Sequence, residues 1–183
     1  MSDKATLTLL QIDLQNLFYV ARGQKIDYEK IWEYFNSRET EFLTKAFVYL
    51  IRSNDFDSSK FEDKLVKIGY SIREKNAVKT YRGNKTFYRQ ADHSVNIAIE
   101  ALERIDTYQK LILMSNNGCL ADLCKYMRSK GKKIEIWNFK DSFNPQLEQY
   151  ADKLYFFDET FFFKKPKISV FGFNLNDVGN RTE

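Results

Sequence analysis

The sequence predicts an α/β domain, a three-layer sandwich in which helices cover both faces of a mostly parallel sheet. Two observations carry this. Short apolar runs with strand character alternate with segments of helical period along most of the chain, the pattern of repeated β-α-β units. The chain has 183 residues, enough for one domain with a self-sufficient core.

The elements follow in order. Thr6 to Ile12 reads as a buried strand through Leu7, Leu9, Leu10 and Ile12, and it ends in the polar stretch Asp13 to Asn16. A helical segment follows. Asp27 is placed to cap another, with Ile31, Tyr34 and Phe35 at the i, i+3, i+4 spacing of one face. Phe42 to Ile51 is rich in β-formers. Ser58 and Ser59 can open a helix with Phe61, Leu65 and Ile68 inward and Gly69 at its end. Short strands are expected over 70–73 and 78–81. The clearest helix runs from about Asp92 to Arg104, where Val95, Ala98, Ile99, Leu102 and Ile105 line one side. A strand over 110–114 runs into Ser115-Asn116-Asn117-Gly118, and a helix follows that stops near Gly131. Lys133 to Asn138 is a strand, Pro145 to Ala151 a helix, and Leu154 to Phe157 a last strand. The domain is expected over residues 1–163, with 164–183 as a tail. That tail opens on Lys164-Lys165-Pro166-Lys167, followed by Ile168, Val170 and Phe173.

Composition excludes several classes. No apolar run approaches the ~20 residues of a membrane helix, and the start lacks the apolar core of a secretory signal. A cytoplasmic setting without membrane contact is therefore expected. One histidine and two cysteines rule out a multi-histidine metal site, a four-ligand zinc site and a disulfide framework. Lys and Arg total 29 against 25 Asp and Glu, so charge permits a nucleic-acid partner without arguing for one.

In open parallel α/β sheets ligands gather at the carboxyl ends of the strands. Three segments converge there: Asp13 with Asn16, Asp92 to Asn96, and Ser115 to Cys119. Each also has an ordinary structural job open to it, as a helix cap or a tight turn.

At these residues the sequence resembles the NYN domains, a branch of the PIN-like nuclease superfamily. Ile12-Asp13-Leu14-Gln15-Asn16-Leu17 is similar to that family's opening signature. The likeness continues through Val78-Lys79-Thr80-Tyr81, the helix Ser94 to Leu102, Leu111 to Ser115 and Lys130 to Ile136, and on to Ala151-Asp152, covering roughly residues 6 to 160. The resemblance implies metal-assisted RNA cleavage, for which several carboxylates must be pooled around Mg²⁺ or Mn²⁺. It also implies which positions would supply them. The first acid is kept as Asp13, and Asn16 is kept. The helix positions are Ser94 and Asn96, with Glu100 at a further acidic position, and the later pair is Asn117 and Cys119.

The neutral side chains at these positions imply a degenerate site, in which neither cofactor nor catalysis is expected. Asn96, Asn16 and Asn117 then become candidates for nucleic-acid contact. Lys79, Arg82, Lys85 and Arg89 join them, from a basic segment interleaved with Tyr81, Phe87 and Tyr88 that is expected to form a loop beside the pocket. The alternative is an active Mg²⁺- or Mn²⁺-dependent ribonuclease using Asp13, Asp92 and Glu100, with Asp13 on the metal and with Asp122 and Asp152 as further displaced acids. A third reading is a structural subunit without nucleic acid. The phenylalanines Phe156, Phe157, Phe161, Phe162 and Phe163 are more than one short strand can bury. They either finish the core or meet a second copy or another protein.

Overall fold

The computed structural model describes residues 5–21, 24–52, 57–82, 85–89, 92–142 and 144–163, with 78–82 and 85–89 described as backbone. The elements run β1 (Thr6–Asp13), α1 (Leu14–Val20), α2 (Tyr28–Asn36), β2 (Glu41–Arg52), α3 (Ser59–Ile68) and β3 (Ser71–Asn76). They continue through β4 (Val78–Arg82), β5 (Lys85–Arg89), α4 (Ser94–Glu103), β6 (Lys110–Met114) and α5 (Ala121–Ser129) to β7 (Lys133–Asn138), α6 (Pro145–Glu148) and β8 (Lys153–Phe156).

Six of the strands form one sheet in the order β3-β2-β1-β6-β7-β8. Every pairing in it is parallel, as the alternation of strands and helices predicts. From β1 the chain builds outward to β2 and β3. It then returns to the other side of β1 and builds through β6, β7 and β8. The order therefore reverses between β1 and β6, and the crevice at such a reversal is where open α/β sheets hold ligands.

Period-two alternation divides the strands between two cores. Leu10, Ile12, Val48, Ile112 and Met114 face α1, α2 and α3, together with Trp137. Leu9, Phe47, Leu111, Leu113, Ile134 and Ile136 face α4, α5 and α6. Three of the five C-terminal phenylalanines, Phe157, Phe161 and Phe162, complete the first core, while Phe156 and Phe163 are exposed. Phe157 and Phe161 are buried with Trp137, and Phe162 stacks on Phe139 at 5.8 Å. Gly69 ends α3 at φ +124°, where a Cβ would run into the Trp32 ring.

Two sequence expectations are corrected. The basic segment expected as a loop continues β3 to Asn76 and then forms an antiparallel hairpin of β4 and β5. On α4 the apolar stripe is not the buried side. The sheet takes Ser94, Ile97, Glu100 and Ala101 instead, while Val95 is 67% exposed and Ile99 and Leu102 are also exposed. Ala101 admits close approach of the helix to the sheet, and arginines compensate Glu100, so burial follows partners that hydropathy does not register.

At the opposite end from the crevice lies a buried ion network that no periodicity signals. Arg38 grips Glu135 through two N–H···O bonds of 2.9 and 3.1 Å, and Lys110 reaches the same carboxylate at 3.2 Å. Glu41 accepts from both cations. The two positive and two negative charges balance, as burial requires. No helix among the described residues is long and apolar enough to cross a membrane.

Candidate nucleic-acid interface at the β1–β6 crevice

Asp13 is the last residue of β1, and Ser115 follows the last residue of β6, so parallel pairing brings the two together. Ser115 Oγ donates to Asp13 Oδ2 at 2.9 Å, and the backbone N–H of Asn16 donates to Oδ1 at 3.3 Å, capping α1. Burial pushes the Asp13 carboxyl above its usual range. The Ser115 and Asn16 hydrogen bonds oppose this, while the charge of Asp92 adds to it.

From Ser115 the network crosses to α4. The Asn117 backbone N–H donates to Ser115 Oγ at 3.1 Å, and its side-chain Nδ2 donates to Ser94 Oγ at 2.7 Å. Ser94 Oγ in turn donates to Asp92 Oδ1 at 2.7 Å, which also accepts the Ser94 N–H at 2.8 Å. Asn117 Oδ1 accepts the Cys119 N–H at 3.0 Å. Asn117 thus donates toward both acids, to Asp13 through Ser115 and to Asp92 through Ser94. A carboxylate at 117 has no side-chain proton for Ser94.

A ladder of amides closes the other side. Asn16 Oδ1 accepts the Asn116 N–H at 2.6 Å, and Asn116 Oδ1 accepts from Asn138 Nδ2 at 2.8 Å. The 3₁₀ turn Gly118–Leu120 presses on α6, and a Cβ at Gly118 would collide with Gln146 and Asn144. Ser115 and Asn116 fall within the segment 115–119 expected at the site, while Asn138 and Asn144 belong to it without being singled out by sequence. The Asn-Asn-Gly run flags the turn. The acceptors of Asn138 Nδ2 lie 22 and 23 residues away, beyond any local motif.

The other candidates lie as follows. Asn96 is half-buried on α4 and takes no part in the network. Glu100 is clamped by Arg73 Nε at 2.8 Å and Arg104 Nε at 2.7 Å, with both guanidiniums over the Phe47 ring. Burial pushes its carboxyl up, but the two arginines outweigh this and hold it below the usual range. Asp152 accepts the Ile134 N–H, toward the ion-network end. His93 is buried, with Nε2 at 2.8 Å from Leu50 O, and Nδ1 has no partner among the described residues. Lys75 Nζ donates to Asp92 O at 2.7 Å. The side chains of Lys79, Arg82, Lys85 and Arg89 lie outside the described residues. Their backbone forms the hairpin, with Lys79 opposite Tyr88 and Arg82 opposite Lys85.

The donor set does not fit a divalent ion of the Mg²⁺ type, which takes anionic oxygens in near-octahedral array. Among the described residues no group of three or more potential acidic, histidine or cysteine ligands converges. Both Asp13 oxygens already accept hydrogen bonds, Glu100 is engaged by two guanidiniums, and Asn117 spends its amide as an amide.

An all-parallel three-layer sandwich with a polar network at its β1–β6 reversal is the architecture of a PIN-like domain. The chain belongs to the NYN domain family, whose model matches residues 8–159. It is 26% identical over 147 residues to the Low amplitude and bright protein LabA of Synechococcus elongatus, covering 78% of each chain. The crystal structure of a Vibrio parahaemolyticus protein of unknown function shares the fold. Its TM-score is 0.75 at 23% identity, over 89% of this chain and 99% of that one.

Proposed function

We propose that residues 1–163 form a catalytically degenerate NYN domain that binds RNA or another nucleic acid at the carboxyl end of its sheet without cleaving it. The observation that carries this reading is the Asn117 side chain. Its Nδ2 donates to Ser94 while its Oδ1 accepts from Cys119, so the pocket is completed by neutral polar groups where metal-dependent hydrolysis would need pooled negative charge. Removing carboxylates weakens catalysis and at the same time lowers repulsion of a polyanion. The β4–β5 hairpin supplies the counter-charge in sequence. It continues from the carboxyl end of β3, at the same end of the sheet as Asp13, and carries Lys79, Arg82, Lys85 and Arg89. Cations track phosphates, and Tyr81, Phe87 and Tyr88 offer stacking surfaces for unpaired bases.

The test incubates the protein with labelled single-stranded and structured RNA, with Mn²⁺ or EDTA, and reads binding and cleavage from the same samples. The expected result is retention without cleavage, weakened about ten-fold by Arg82→Ala with Lys85→Ala. Cleavage that requires both metal and Asp13, and so disappears in Asp13→Asn, overturns the non-catalytic reading. Absence of retention overturns the binding reading.

A further inference from the structure

The apolar stripe of α4 that the sheet does not use lines a groove of about 560 Å³ between α4 and α5. Val95, Ala98 and Leu102 form one wall, and Leu120, Leu123 and Tyr126 the other. Val95, Leu102 and Tyr126 are exposed, so apolar side chains of both helices meet solvent at the groove. Among the described residues the charged members of the lining are Asp92 and Asp122, with no described lysine or arginine in it.

That charge pattern selects the occupant. Among the described residues of the lining a phosphate backbone meets two carboxylates, and Lys75, outside the lining, is engaged by the Asp92 carbonyl at 2.7 Å. Isologous packing of the groove on its own copy sets the same acids against one another. An extended peptide that is cationic at one end and apolar beyond is complementary. The chain carries such a peptide in Lys164-Lys165-Pro166-Lys167-Ile168-Ser169-Val170-Phe171-Gly172-Phe173, with no acidic residue before Asp177.

Reach decides which copy supplies it. Phe163 lies on the α1–α3 side, where its N–H donates to Lys25 O at 3.0 Å and Lys64 sits over its ring. The groove lies on the opposite side, across the sheet. From Phe163 the chain extends at most about 18 Å by Ile168. Two helix layers and the sheet between them put their centres roughly 20 Å apart, and the path around the sheet edge is longer.

We propose that the α4–α5 groove receives segment 164–173 of a second copy of this chain, so that two copies exchange tails in a closed dimer. The groove shares Asp92, Ser94 and Cys119 with the crevice, but the proposal is read by dimerisation, which does not require nucleic acid. Exchange leaves both grooves filled and no free end of the interaction, which closes the assembly at two.

Cys119 provides the test, because it lines the groove as an exposed free thiol, while Cys124 is buried. In full-length protein carrying Ser169→Cys, mild oxidation is expected to give a disulfide-linked dimer on non-reducing gels, lost when Cys119→Ser is added. In the otherwise natural chain, Lys164→Glu, Lys165→Glu and Lys167→Glu together are expected to raise the dimer dissociation constant at least ten-fold by light scattering. Adding Asp122→Lys is expected to recover part of the loss. Val95→Asp, at an exposed position that the fold tolerates, is expected to give folded monomer by circular dichroism and scattering. A cross-link confined to monomer overturns the exchange and assigns the tail to its own groove. Absence of the Cys119 cross-link, or a dimer indifferent to all these changes, overturns the proposal outright.

Discussion

At the scale of single residues, the site is set by what each group gives up to its neighbours. Asp13 is buried, and its carboxyl is raised by that burial above the value of an unfolded chain. The folded state therefore holds the proton more tightly than the unfolded state. The stability this contributes is present below the unfolded value and is lost as pH rises through the raised folded value. At neutral pH the ionised Asp13 is then a cost to the fold. Asp13→Asn keeps an acceptor for the Asn16 N–H and offers an amide to Ser115, and it is expected to stabilise the protein by up to about 1 kcal/mol, roughly 2–4 °C. The gain should vanish at pH below 4 in a thermal melt series. Asp13 was readable from sequence because a strand-end aspartate followed by Asn16 is a local pattern. The joining of Ser94 and Asn117 was not, since they lie 23 residues apart and only the sheet brings them together.

At the scale of elements, α4 shows both what periodicity can read and what it cannot. Its spacing defines the helix and gives its ends to within two residues. The spacing does not give its inward face, because the side with the larger apolar side chains is not the one that packs. Glu100 sits on the buried side because Arg73 comes to it from β3 and Arg104 from one turn further along α4. The two guanidiniums also cover Phe47, at 4.6 and 5.1 Å. This arrangement ties α4 to the edge of the sheet from which the hairpin departs. Glu100→Gln retains volume but leaves two cations facing a neutral group. The arginines are partly exposed, with side-chain exposures of 41% and 36%, so water recovers some of the loss. The expected cost is about 1–2 kcal/mol in urea unfolding.

Across the whole molecule the proposed function divides the work between the two ends of the sheet, and the division itself can be tested. The amino-terminal ends carry the balanced cluster of Arg38, Glu41, Lys110 and Glu135, in which every charge has a partner and Trp137 Nε1 adds a hydrogen bond to Glu135 at 2.7 Å. The carboxyl ends carry neutral amides and hydroxyls around Asp13, and the basic hairpin follows in the chain from the carboxyl end of β3. Removing one member of the buried cluster strands the others. Glu135→Gln leaves Arg38 and Lys110 sharing Glu41 alone, at an expected cost of about 3 kcal/mol or more, a fall in melting temperature of roughly 6–12 °C. The crevice lies at the other end of the strands, so the proposed function expects folded Glu135→Gln protein to retain RNA to the same extent as the natural chain. The hairpin pair Arg82→Ala and Lys85→Ala is expected to do the reverse. It should leave the melting temperature within about 1–2 °C and lower the slope of log affinity against log salt by about 1.4, two phosphate contacts at ~0.7 each on single strands. Equal effects of both changes on binding and on melting would mean that the ends are not separable and that the hairpin is part of the structural core.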